Sequence, residues 1–116
     1  MSDDARLTVH VAQMLESVEL ALSYVEGLSA TDFLADRKTQ QAAILNLIVI
    51  GETASKLERD FPTFALANSH IPWKSMRGMR NRIAHGYFEI DLATVWDTLQ
   101  TELPDLPMRL QAITRN

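Results

Sequence analysis

The chain has no cysteine among its 116 residues, which excludes a disulfide framework and any thiolate-bound metal. It has no long hydrophobic run. The longest, Ala42 to Ile50, is interrupted by Asn46 and falls far short of the roughly 20 apolar residues a bilayer requires. Nothing at the start resembles a leader: Met1 to Asp4 is acidic, where a secretory signal is basic and then apolar. Repeats, low-complexity tracts and long linkers are missing, as are a phosphate-cradling glycine loop and histidines at metal-ligand spacing such as HExxH. The expectation is one domain over residues 1–116, soluble and cytoplasmic, without membrane contact and without a bound cofactor.

What is present is ordinary globular material. Hydrophobic residues make up 47%, and a chain of this length buries roughly 65% of its unfolded surface, enough for one core. The net charge of −4 argues against a generic nucleic-acid binder. The charges are unevenly placed, however. Between Phe61 and Phe88 there is no Asp or Glu, while Lys74, Arg77, Arg80 and Arg82 all fall there, with His70 and His85. A local cationic patch in an acidic body can grip a phosphate without making the whole surface adhesive. On charge alone, four cations on one helix read first as a plain solvated face.

Hydrophobic spacing predicts helices throughout. Leu7, Val11, Met14, Val18, Ala21 and Val25 repeat in steps of four and three, one apolar stripe of a helix over about Ala5 to Glu26, stopped by Gly27. Ser29 to Asp32 is capping chemistry for a short turn through Leu34. Asp36 reads as the N-cap of a second long helix, about Arg37 to Arg59. Its stripe is Ala43, Leu47, Ile50, Ala54 and Leu57, with Ile44, Ile48 and Val49 adding apolar surface beyond it. Such a helix must be covered on more than one side, by neighbours in a bundle or by a partner chain. Phe61 to Ile71 reads as the main irregular stretch. Pro72 suits the first position of a third helix running to about His85, with Gly86 ending it. Asp91 caps a fourth, whose apolar residues run from Leu92 to Ile113, and Pro104 and Pro107 should kink or split it near Glu102. The predicted fold is all-α, an up-down bundle of four to five helices.

The unusual passage is Arg80 to Tyr87. Asn81 and His85 are four apart and share a helix face, and Arg82 and His85 are three apart. Arg80 lies about 140° from His85 on an ideal helix, so the two converge only around a ligand or across two subunits. A histidine titrating near neutrality serves as general base or acid, and an arginine fork fits phosphate oxygens. The two together suffice to cleave RNA without metal: the base activates a ribose 2′-hydroxyl, and cations stabilise the phosphorane. Taken by residues alone, His85 capping the last carbonyls with the arginines solvated is the favoured reading. His10 and His70 have nothing to fix them in a site. Glu52 beside Gly51 suggests a close helix crossing, the carboxylate pairing a nearby arginine in a structural role, and Trp73 and Trp96 fit the apolar stripes as core residues.

The passage resembles the RxxxxHxY motif of the HEPN superfamily in its HepT-like toxin branch, here Arg80, four residues, His85, Gly86 and Tyr87. Gly51-Glu52, Ile71-Pro72-Trp73 and Arg77 to Asn81 resemble the same branch, and the similarity extends from about Leu7 to Ile113. The resemblance implies an all-helical homodimer acting as a metal-independent RNase toxin, with the motif in a cleft between subunits. Arg80 and His85 would be catalytic. Asn81 matches the polar residue that follows the motif arginine and would orient His85 or the RNA; Arg82, Arg77 and Lys74 are the further candidate phosphate contacts. The implied partner is a minimal nucleotidyltransferase antitoxin that transfers AMP to Tyr87. The competing expectation is a non-catalytic module that binds nucleotide or RNA, or docks the nucleotidyltransferase.

Overall fold

In a computed structural model, residues 3–85 and 90–114 are described, with residues 84, 85 and 114 defined by backbone alone. Helix α1 spans Asp3–Val25 and buries Val11, Met14, Val18, Ala21 and Val25, the stripe that the spacing predicts. Gly27 ends it with φ +77, a left-handed turn that glycine makes without a Cβ clash. Helix α2, Ala30–Leu34, opens with a full capping box. Asp32 donates its backbone N–H to Ser29 Oγ, and Ser29 N–H donates to the Asp32 carboxylate, both at 3.1 Å.

Helix α3, Arg37–Asp60, starts at the N-cap Asp36, whose carboxylate accepts from Thr39 N at 3.1 Å and from Thr39 Oγ1 at 2.6 Å. The buried Gln40 amide is satisfied by the end of α2, donating to Phe33 O at 2.9 Å and Leu34 O at 3.1 Å. These bonds fix the α2–α3 corner around Phe33, which is wholly buried. Phe61 to Ile71 differs from the sequence expectation. It contains helix α4, Pro62–Ala67, with Pro62 in the first turn, where the missing N–H removes no bond. The Trp73 indole N–H donates to Ala65 O and Asn68 O, each at 3.2 Å, tying the end of α4 to the start of α5, Trp73–His85.

Helix α6, Leu92–Asp97, is capped by Asp91, which accepts from Ala93 N at 3.0 Å and Thr94 N at 3.2 Å. A π-helical turn follows over Thr98–Glu102. The chain breaks around Pro104, and α7 runs Leu106–Thr114, so the split at the prolines is as the sequence indicated. The π turn has a physical reason. Val95, Leu99 and Leu103 are all buried yet lie four apart, and each step of four drifts about 40° on an α-helix. A wider turn takes up that drift and keeps the three on the core side.

No strand occurs among the described residues, which hold seven α-helices and the π turn. The excess over the four to five expected is α4 and the division of the last helix. Helix α3 is central, with α1 packed on one flank and α5 on the other, while α7 covers α1. One core runs through these layers, from Val11 and Met14 through Leu47 and Ile50 to Met76, Met79 and Ile83. No described helix is long and apolar enough to cross a membrane.

Candidate functional site

Helix α5 carries the motif, and its inner face is apolar: Trp73, Met76, Met79 and Ile83 are buried. The α3–α5 crossing occurs over Gly51. A Cβ at Gly51 would press on Arg80 Cβ, and would meet Met76 O at 2.9 Å and Arg80 Cγ at 3.0 Å. Only a glycine lets the α5 backbone and the Arg80 stem approach α3 this closely. The crossing suggested by Gly51-Glu52 in the sequence is therefore present, and Arg80 is the side chain that lies on it.

From that seat the Arg80 guanidinium meets two acceptors. Nη2 donates to Glu52 Oε1 on α3 at 3.3 Å, and Nη1 donates to Asn81 Oδ1 at 3.0 Å. Its Nε is closed off from solvent and has no hydrogen-bond partner among the described residues. The two side chains of the ion pair remain 39% and 59% exposed. A pair that open adds only about 0–1 kcal/mol to stability, and it leaves other N–H groups of the guanidinium open to an incoming anion.

The other cations divide into two groups. Arg77 is engaged by Glu58 of α3 in an ion pair that leaves both half-buried. Lys74 and Arg82 are exposed and line a groove of about 1030 Å³ together with Gly78, Pro72, Trp73 and Leu66. Glu58 and Glu102 also line it, and Ser75 Oγ donates to Glu102 Oε1 at 3.4 Å. The cationic patch seen in the sequence is thus partly neutralised by carboxylates from α3 and the π turn. No sequence signal gave the Glu58–Arg77 pair, since the partners are distant in the chain and meet only through the helix packing.

His85 is the last residue of α5, and its side chain, with Gly86 and Tyr87, lies outside the described residues. Position 85 continues the ridge formed by positions 74, 78 and 81, which ideal helical spacing places within about 60° of one another. His70 is exposed, and its carbonyl accepts from Arg109 Nη1 at 2.9 Å, which ties that segment to α7. His10 packs beside Phe61, ring centroids 6.4 Å apart, a structural placement. Trp96 stands against Phe33 at 5.3 Å and Trp73 against Phe64 at 6.1 Å, so both tryptophans serve the core. Among the described residues no group of three or more His, Asp or Glu could hold a metal ion.

Residues 14–113 match the family model described as "Ribonuclease HepT-like". The chain is 30% identical over 106 residues to the "Probable ribonuclease HepT" of Thermococcus cleftensis, covering 91% of this chain and 94% of that protein. A protein of Caldanaerobacter subterraneus provisionally named as an RNase is 30% identical over 104 residues, 90% of each chain. One of Methanocaldococcus jannaschii, also provisionally named as an RNase, is 30% identical over 103 residues, 89% of this chain and 83% of its own. No solved structure matches.

Proposed function

This chain belongs to the HepT-like ribonuclease family, and from that premise we propose that it is a metal-independent endoribonuclease with Arg80 and His85 as its catalytic pair. The observation that carries this reading is the seat of Arg80. A guanidinium is held at a glycine-only helix crossing by Glu52 and Asn81, five residues before the histidine that ends the same helix. His85 takes the proton of a ribose 2′-hydroxyl, and O2′ attacks the adjacent phosphorus. The P–O5′ bond breaks, and a proton passes to the leaving 5′ oxygen, giving a 2′,3′-cyclic phosphate and a 5′-hydroxyl. Arg80 stabilises the extra negative charge of the phosphorane. Asn81, Arg82 and Lys74 contact flanking phosphates, and Arg77 joins them if its pair with Glu58 opens.

The protein acts as a homodimer with the cleft between copies. This reading answers the separation of about 140° between Arg80 and His85 on one helix. It also gives a use to the outer face of α3, where Leu45 is 62% exposed and Ile48 and Val49 are half-buried. In the cell it is the toxin of a toxin–antitoxin pair in the cytoplasm. Its partner, a minimal nucleotidyltransferase, transfers AMP to Tyr87: the phenol oxygen attacks the α-phosphorus of ATP and pyrophosphate leaves. A nucleotide two residues from His85 would block the cleft and occupy Arg82.

One observation favours a second reading, a non-catalytic module that binds RNA or docks the nucleotidyltransferase: two of the four cations on α5 are already paired with α3 carboxylates. The deciding experiment is cleavage of bulk RNA and tRNA in EDTA by unmodified protein and by His85→Ala purified identically. Cleavage by the wild type alone establishes the RNase. Equal cleavage by both removes His85 from the mechanism, and cleavage by neither moves the assignment to the binding module. Intact mass after incubation with the partner and ATP tests the modification, which should add one AMP and be lost in Tyr87→Phe.

A further inference from the structure

We infer that Glu52 is a positioning residue of the proposed nuclease site, acting through Arg80 by holding its guanidinium in the orientation that receives the scissile phosphate. The inference rests on the assignment of Arg80 as the phosphate-stabilising cation and goes beyond it by giving that cation an anchor on a second helix.

Three facts combine. The stem of Arg80 is fixed where α5 crosses Gly51, with Arg80 Cγ 3.0 Å from where a Cβ would stand. The Nε–H is closed off from solvent and engages no acceptor among the described residues, so the terminal nitrogens carry the polar contacts. Those contacts are Glu52 to Nη2 at 3.3 Å and Asn81 to Nη1 at 3.0 Å. A guanidinium has two N–H groups on each terminal nitrogen. Among the described residues one on each is taken, which leaves one on each for phosphate oxygens, acceptors that an arginine fork suits.

The two anchors are not equivalent. Asn81 is Arg80's neighbour on α5 and moves with it. Glu52 belongs to α3 and ties the guanidinium to the centre of the bundle. It is also exposed and makes no part of the core, so its removal leaves the fold intact. Without it the guanidinium can rotate about its terminal torsions, and a displacement of about 1 Å at a reacting group costs on the order of 100-fold in rate. The carboxylate also has a counter-effect, since it reduces the positive charge presented to RNA. An amide at this position keeps the acceptor and removes that charge.

The test compares wild type, Glu52→Ala and Glu52→Gln for RNA cleavage, together with the ¹⁵N–¹H signal of Arg80 Nε–H, assigned by its disappearance in Arg80→Lys. Glu52→Ala should lower kcat about 10- to 100-fold with KM changed less than about threefold. Glu52→Gln should keep kcat within about threefold and lower KM. The Arg80 signal should shift and broaden in Glu52→Ala and stay near its wild-type position in Glu52→Gln. A kcat for Glu52→Ala equal to wild type overturns the inference, and so does an equal loss in both variants, which would mark a structural role. Absence of cleavage by the wild type sinks the nuclease reading instead, and the positioning claim then stands or falls with the Arg80 signal.

Discussion

The two central glycines of the α3–α5 layer behave oppositely. Gly51 has no room for a Cβ, whereas Gly78 has nothing within 4 Å of one. Gly51→Ala must push α5 off α3 and should cost about 1–3 kcal/mol, the usual penalty for overpacking. Urea unfolding would show it as a lower midpoint, and the displaced Arg80 should carry RNA cleavage down with it. Gly78→Ala replaces a flexible residue in an open helix position and should stabilise by about 0.5–1 kcal/mol. A midpoint that falls in Gly78→Ala would contradict the open face seen there. Gly51-Glu52 was legible in the sequence as a close crossing, because a small residue beside a carboxylate in an apolar helix has few other uses. That Arg80 is the residue seated on it was not legible, since Glu52 and Arg80 meet only when α3 and α5 pack.

Among the elements, aspartates take part in the starts of three helices, capping α3 and α6 and completing the capping box of α2. Hydrogen bonds from the Thr39 hydroxyl and then the Thr39 backbone N–H hold the Asp36 carboxyl below its ordinary value. Backbone N–H donors act first on two more, from Ser29 on Asp32, the reciprocal partner in the α2 capping box, and from Thr94 on the α6 cap Asp91. Asp60 is lowered chiefly by its bond from Arg59. A carboxyl whose folded pKa is depressed contributes stability that is present above its unfolded value, near 3.9, and lost as pH falls through the folded value. The melting temperature should therefore hold steady down to about pH 4 and then drop. Asp36→Asn and Asp91→Asn should flatten that drop when melts are followed by circular dichroism; an unchanged acid profile would remove the caps from the account. Asp36, Asp91, Ser29 and Gly27 were readable because capping is local chemistry. Helix α4 was not, because Phe61-Pro62 looks the same whether the proline ends one helix or begins the next. The π turn was hidden for a similar reason, since the spacing of Val95, Leu99 and Leu103 also fits an ordinary stripe.

At the scale of the whole molecule, α3 organises everything else. It lies between α1 and α5, supplies Gly51, Glu52 and Glu58 to the motif helix, and leaves Leu45 exposed on its outer face. The surplus of apolar residues along it was visible in the sequence. Which of them would stay uncovered depended on where α5 and α1 settled. If the outer face joins two copies, Leu45→Glu should yield a folded monomer in sedimentation velocity, with RNA cleavage reduced at least about tenfold by loss of the composite cleft. A Leu45→Glu dimer of wild-type activity would place the subunit contact elsewhere. The wide turn at Thr98–Glu102 bears on how the chain tolerates changes in length. A π turn is an α-helix with one residue to spare. A one-residue deletion there can close into a regular turn and leave α7 seated on α1, whereas a deletion within α3 would rotate the residues beyond it by about 100°. Length variation in helical segments should therefore be absorbed at this turn and be lethal to the fold in α3.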